Sequence, residues 1–237
     1  MPEDGTNFDV VIIGGGPGGY GAALYGAAAG LNIALIEMNK LGGTCLQVGC
    51  VPAKELLETA AVLHTVREAG EFGVNVPAPT LDISVTMERK QRVVGQLTAG
   101  VGQLLKGRKV TVLDGVGSLG ADRQVTVSGG QSGDMVITGR NIVLASGSKP
   151  RTIPGFEVDG TTVLTSDEVL SIDHVPASAA IIGGGAIGSE FASALHDFGT
   201  DVTILEALPK ILGPTDDDIT KLVERSFKKR GIKVRTD

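Results

Sequence analysis

The chain has no tryptophan, three histidines and two cysteines among its 237 residues, and aromatic residues make up only 3%. So few soft ligands argue against a structural zinc site, which normally takes four Cys or His side chains. His64, His174 and His196 show no ligand spacing to the cysteine pair, so no metal is expected. A positive excess is also missing: 21 Lys and Arg face 27 Asp and Glu, for a formal net charge of −6. Nucleic acid and anionic membrane surfaces would repel that balance, and neither is expected as a partner. No apolar run reaches the roughly 18 residues that span a bilayer. Residues 1–7 are polar, without the basic and apolar regions of a signal peptide. The expected location is therefore cytoplasmic, where a close cysteine pair is more often catalytic than structural.

Glycine is abundant instead, at 35 residues. Both cysteines fall in one glycine-rich stretch, Gly42-Gly43-Thr44-Cys45-Leu46-Gln47-Val48-Gly49-Cys50-Val51-Pro52-Ala53-Lys54. Two unrelated buried thiols would be the plainer reading, since cysteine often packs as a small hydrophobe. That reading leaves their proximity to chance, and a redox dithiol is favoured. Pro52 suits the first turn of a helix expected over residues 52–69. Cys50 would then sit near a helix N-terminus, whose partial positive charge attracts anions.

Phe8 to Ile13 is an apolar, β-branched run of the kind buried on both faces of a sheet. It leads into Gly14-Gly15-Gly16-Pro17-Gly18-Gly19, which satisfies G-x-G-x-x-G at Gly14, Gly16 and Gly19. An alanine-rich helix, a second strand over residues 32–36 and Glu37 follow, with Glu37 lying 23 residues after Gly14. Each part has a task in dinucleotide binding. The first glycine makes the tight turn and the second lets backbone approach a pyrophosphate. The third allows helix and strand to touch, and the helix start offers free N–H groups to the anion. The terminal carboxylate can accept from a ribose hydroxyl. Strand, glycines, helix, strand and acid in this order make a specific signal.

The unit recurs 169 residues later, with Gly183, Gly185 and Gly188, the helix start at Ala186 and Ile187, and Glu206 again 23 residues from the first glycine. A carboxylate at Glu206 favours NAD over NADP, because it would repel a 2′-phosphate. The expected architecture is α/β, with two Rossmann-like domains. The first, 1–150, carries an inserted β-meander. The second, 151–237, is incomplete and ends at a strand only begun over Gly231–Arg235. The Pro- and Gly-rich stretch from Lys149 to Gly155 marks the boundary. Between the units a second helix is expected over residues 83–105. Short strands are expected over 109–113, 124–127 and 135–138, and a buried strand over 141–145. Gly115 and Gly117 read equally well as ligand-approach or ordinary turn glycines.

Gly42 to Lys54 resembles the redox-disulfide motif of the pyridine nucleotide–disulfide oxidoreductases. The two glycine units and the segment Ala145-Ser146-Gly147-Ser148 appear in that family's order. Within the family, residues 51–57 and 96–101 most resemble the branch that oxidises dihydrolipoyl groups. Departures are mild: Gln47 stands for the usual Asn, Ala53 for Ser and Ser146 for Thr.

The resemblance implies FAD on Gly14, Gly16, Pro17, Gly19 and Glu37. Gly43, Thr44, Gly115, Gly117, Ser146 and Gly147 would touch the same cofactor. It implies NAD on Gly183, Gly185, Ala186, Ile187, Gly188 and Glu206. Cys45 would exchange with substrate and Cys50 would face the flavin. Lys54 would lie near the flavin, paired with Glu190. Electrons would pass from dihydrolipoamide through the Cys45–Cys50 dithiol and FAD to NAD⁺. Partners would be lipoyl groups on 2-oxoacid dehydrogenase or glycine-cleavage carrier proteins, and the full-length form would be a homodimer. No histidine is positioned as the family's C-terminal His-x4-Glu acid/base pair, so a fragment of a longer enzyme is expected. Other thiol, disulfide or mercuric reductases, and a nucleotide-binding module without catalysis, are the alternatives.

Overall fold

The computed structural model describes residues 6–130 and 133–237. By internal contacts the chain divides into two units. One is Met1–Pro52 with Arg92–Glu157, the other Ala53–Gln91 with Val158–Asp237. Residues 53–91 thus group with the second unit, whereas a linear division at 150 assigned them to the first.

The first unit is built on β1 (Asn7–Ile13), α1 (Pro17–Ala28), β2 (Ile33–Glu37) and the short α2 (Gly43–Val48). The helices α3 (Cys50–Arg67) and α4 (Ile83–Gly107) contribute to both units. Four strands follow: β3 (Thr111–Asp114), β4 (Val116–Leu119), β5 (Gln124–Ser128) and β6 (Met135–Leu144). The sheet order is β3-β2-β1-β6-β5-β4. β3, β2, β1 and β6 run parallel, while β5 and β4 extend the sheet antiparallel. The central strands β1 and β2 are largely buried and apolar because both faces of the sheet are covered there. On one face Ile12, Ile33 and Leu35 pack with Ala23 of α1 and Leu105 of α4. On the other, Val11, Ala34 and Ile36 pack with Val125, Val127 and Ile137.

Three details differ from the sequence reading. The expected strands over 135–138 and 141–145 are one strand, β6, because Gly139 continues the extended chain alongside β1. The first expected short strand is β3, which pairs parallel with β2 and lies outside the meander. The meander is instead β4-β5-β6, and its first strand contains Gly117.

The second unit repeats the β–α–β plan. β7 (Ser178–Ile182), α6 (Ala186–Phe198), β8 (Asp201–Glu206), α7 (Asp217–Arg230) and β9 (Lys233–Thr236) form a parallel sheet in the order β7-β8-β9. Gly199 and Gly231, both at positive φ, end α6 and α7. α5 (Ser166–Val169) is held by a capping box between Thr165 and Glu168. The buried Lys90 donates to the carbonyl of Leu170 just beyond α5, and burial pulls its pKa below the usual lysine value. Ahead of α5, one carboxylate oxygen of Asp159 accepts from the backbone N–H groups of Thr161, Thr162 and Val163 at 2.7–2.9 Å. Among the described residues no helix is long and apolar enough to cross a membrane.

Two outcomes follow from this architecture. Leu35 is fully buried between α1 and α4, so Leu35→Ala should lower unfolding free energy by about 2–5 kcal/mol in a denaturant titration. The three N–H donors hold Asp159 at a pKa of about 2, below its ordinary 3.8. Its contribution is therefore complete above the unfolded-state pKa and lost as pH falls through the folded one. Protection of the Thr161–Val163 amides, relative to their intrinsic exchange, should fall over that acid window in the parent. In Asp159→Asn protection should be low at every pH, and protection equal to the parent's at neutral pH would refute the assignment.

Candidate functional site

The glycine loop of the first unit begins where β1 ends. Gly14 has φ +108°, and its N–H donates to Ile36 O at 2.8 Å. A side chain there would strike Ala145 O at 2.1 Å, and one at Gly19 would strike Gly14 O at 1.7 Å. These two glycines are required by close backbone approach. Gly16 is different. It caps α1 in an extended conformation (φ −72°, ψ −176°) with no side-chain cap. A Cβ there would meet only Gly43 Cα, at an ordinary 3.6 Å. Glycine at position 16 is thus not demanded by the protein's own packing. It leaves clear the approach to the first turn of α1, where the N–H groups gather partial positive charge. Pro17, which has no N–H, occupies the first helical position.

Glu37 closes the frame. Its Oε2 accepts from Gly15 N at 2.7 Å and its Oε1 from Asn39 N at 2.8 Å. The sequence marked Glu37 as a ribose acceptor; its carboxylate also braces the loop, a role visible only in three dimensions.

The second unit reproduces this frame. Gly183 has φ +102° and donates to Leu205 O at 2.8 Å. Glu206 accepts from Gly184 N at 2.7 Å and Leu208 N at 2.9 Å. Gly188 would strike Gly183 O at 2.1 Å, while Gly185, the extended cap of α6, has no heavy atom within 4 Å of an added Cβ. Ala186 begins α6 and Ile187 beside it is exposed.

The dithiol segment is docked on the first frame. Gly42 and Gly43 both have positive φ, and Gly42 N donates to Gly15 O at 2.9 Å. A Cβ on Gly43 would fall 2.5 Å from Gly16 Cα, so backbone lies directly on backbone. This starts α2, a six-residue helix the sequence reading missed because glycine flanks it closely. Cys45 is half-buried within α2, and Cys50, exposed, is the first residue of α3. Gln47 Nε2 donates to Leu41 O and to Thr98 Oγ1, both at 2.8 Å, bracing α2 against α4.

The remaining expected contacts divide. Thr44 Oγ1 reaches Ser148 O at 3.5 Å, and Gly147 (φ +78°) lies beside the same hydroxyl, so the segment from Ser146 meets α2. Gly115 (φ +141°) is a turn glycine whose N–H donates to Glu37 O at 3.0 Å. Gly117 sits in β4 over Ile13 and Ile36, where a Cβ would come within 3.1–3.2 Å of them. In the second unit Lys54 Nζ donates to Glu190 Oε1 at 2.5 Å, joining α3 to α6 as an exposed ion pair. Such pairs contribute at most about 1 kcal/mol to stability.

A strand–glycine–helix frame thus occurs twice, with a cysteine pair seated on the first. Residues 8–237 match the family described as pyridine nucleotide-disulphide oxidoreductase, and the chain belongs to it. It is 46% identical over 240 residues to a dihydrolipoyl dehydrogenase of Bacillus subtilis, covering 98% of this chain and 50% of that protein. A dihydrolipoyl dehydrogenase of Chlamydia trachomatis is 41% identical over 95% of this chain and 49% of its own length. The chain therefore spans about half the length of these relatives.

Among solved structures, LpdA from Mycobacterium tuberculosis superposes with a TM-score of 0.89 at 24% identity, covering 98% of this chain and 51% of that one. This likeness shows the shared fold. The Cu(II) complex of the HOCl-induced flavoprotein disulfide reductase RclA from Escherichia coli superposes at 0.79 with 29% identity over 97% of this chain and 49% of that one.

Removing both acceptors of the first frame tests its bracing. Glu37→Ala should cost about 1.5–3 kcal/mol, the range for hydrogen bonds to charged groups, measured by chemical denaturation. Unchanged stability would show that the Gly15 loop holds itself.

Proposed function

We propose that the protein is a flavoprotein disulfide oxidoreductase of the dihydrolipoyl dehydrogenase type. FAD is assigned to the Gly14–Gly19 loop, NAD to the Gly183–Gly188 loop, and the redox dithiol to Cys45 with Cys50. One observation carries this reading. Both frames keep a glycine, Gly16 or Gly185, where the protein's own packing would accept a side chain. A bound pyrophosphate explains that restraint; internal packing does not.

The residues fit the two groups. Gly16 and Gly185 would admit the diphosphates, with the starts of α1 and α6 supplying N–H donors. Glu37 and Glu206 each accept two backbone N–H groups through different oxygens, which leaves further lone pairs for ribose hydroxyls. Glu206 favours NAD over NADP. Gly43, Thr44, Gly115, Gly117, Ser146 and Gly147 are assigned to the flavin side. When bound, FAD supplies the two-electron acceptor that thiols and a nicotinamide lack between them.

The chain's own chemistry is thiol–disulfide exchange. A dihydrolipoyl thiolate attacks Cys45, the Cys45–Cys50 bond breaks, and Cys50 leaves as thiolate. The second lipoyl thiol then displaces Cys45, so lipoyl disulfide departs and two electrons and two protons remain on the pair. Lys54 and Glu190 are assigned to the same chemistry as a fixed ion pair. Lipoyl groups on carrier proteins of 2-oxoacid dehydrogenase or glycine-cleavage systems are the proposed partners. The proposed complete enzyme is a cytoplasmic homodimer. The likeness to RclA supports a second reading, in which the same pair reduces another disulfide.

Gly16→Ala and Gly185→Ala separate binding from folding. Each should keep the parent's thermal midpoint, while Gly16→Ala loses FAD affinity and Gly185→Ala loses NAD affinity by roughly tenfold or more. Equal affinity in variant and parent would remove the cofactor assignment. Alkylation and mass measurement of the oxidised parent should show two thiols released by dihydrolipoamide. Release by glutathione but not by dihydrolipoamide would favour the second reading.

A further inference from the structure

Cys45 and Cys50 are five residues apart, and both lie in helical segments. On one unbroken helix they would be separated by about 7.5 Å along the axis and turned to different faces. A disulfide needs Cα atoms about 4.4–6.8 Å apart with the Cβ atoms directed at each other. The pair can work together only if the helix breaks between them. It breaks at Gly49, which ends α2 with φ −144° and ψ −118°, far from helical angles. The corner is closed as tightly as backbone permits. A Cβ at Gly49 would lie 2.7 Å from Thr44 O and 3.2 Å from Cys45 Cα. Those atoms are backbone and cannot swing aside, and Cys50 is the next residue.

We infer that Gly49 sets the Cys45–Cys50 separation, and hence the redox poise of the pair, by letting the chain turn from α2 into α3 with its backbone against the Thr44–Cys45 peptide. It is a positioning residue, acting through the two cysteines. The inference rests on the dithiol reading above and adds the element that tunes it. Any side chain at position 49 must push α3 away from the Thr44–Cys45 peptide, which lowers the effective concentration of one sulfur at the other. The disulfide then becomes easier to reduce.

The test is an equilibrium in glutathione buffers on the 237-residue chain, quenched by alkylation and read by mass. Reduction breaks the Cys45–Cys50 bond and moves two electrons and two protons from two glutathione thiols, which leave as glutathione disulfide. Gly49→Ala should shift the equilibrium toward dithiol by roughly tenfold, equivalent to about 30 mV for a two-electron couple. Gly95→Ala is the control. It lies in α4 with nothing within 4 Å of an added Cβ, and its equilibrium should match the parent's.

If Gly49→Ala does not fold, one glycine inserted between Gly49 and Cys50 opens the corner without a clashing Cβ and should give a shift of the same sign. A folded Gly49→Ala within threefold of the control overturns the inference, as does an insertion variant with the parent's equilibrium. A parent chain that forms no Cys45–Cys50 disulfide in any buffer refutes the dithiol reading itself, a separate outcome.

Discussion

The first unit turns on a contact between two stretches of bare backbone. Gly43 lies on Gly16, and the N–H of Gly42 bonds to the carbonyl of Gly15. Here the glycine loop after β1 and the helix that carries Cys45 become one structure. A side chain on Gly43 would prop them apart, since its Cβ would sit 2.5 Å from Gly16 Cα. Interiors are packed closely enough that a shift of this size propagates into neighbouring elements. The position of Cys45 therefore depends on the same peptide units that would hold a dinucleotide. The cysteine segment and the glycine loop are registered by covalent geometry and sterics, with no long side chain between them.

The two frames show what such a loop needs and what is optional. In both, the first glycine takes positive φ and bonds to the neighbouring strand, and the third lets helix touch strand. In both, the terminal glutamate binds the second residue of the loop. They differ beside the first strand. β6 flanks β1, and Ala145 O crowds Gly14; no described strand flanks the outer edge of β7, and Gly183 has nothing near an added Cβ. The requirement for glycine at Gly183 thus comes from its backbone angle alone, whereas Gly14 is constrained twice. Ile182 next to it is accordingly exposed while Ile13 is half-buried.

Much of this was legible in the residues. Apolar runs followed by glycines at set spacing identify the strand–loop–helix units, because few other physical demands produce that order. The cysteine stretch stood out for its composition. What stayed hidden depends on distant partners. The short α2 lies among glycines that weaken helix propensity, and its start is held by Gly15, far away in sequence. The merging of two expected strands into β6 depends on pairing with β1, because Gly139 alone reads as an interruption. Glu37 and Glu206 looked like ligand groups, and nothing local revealed that they also clamp their own loops. Burial of Lys90 depends on the carbonyl of Leu170, 80 residues away, which accepts from it.

Two of the three departures from the family motif, Gln47 and Ala53, are accommodated locally. Gln47 stands where asparagine is usual, and its amide spans from Leu41 O to Thr98 Oγ1. A side chain one methylene shorter would have less reach to hold both from the same backbone position. Thr98 in turn donates to Val94 O, so the brace ends on α4 backbone with its hydrogen bonds satisfied. Ala53 replaces serine at a buried position of α3, where losing the hydroxyl removes a polar group that would need a partner. Tolerance is thus confined to side chains that can find new partners. The glycines that place Cys45 and Cys50 have no such freedom, because what they contribute is the space a side chain would occupy.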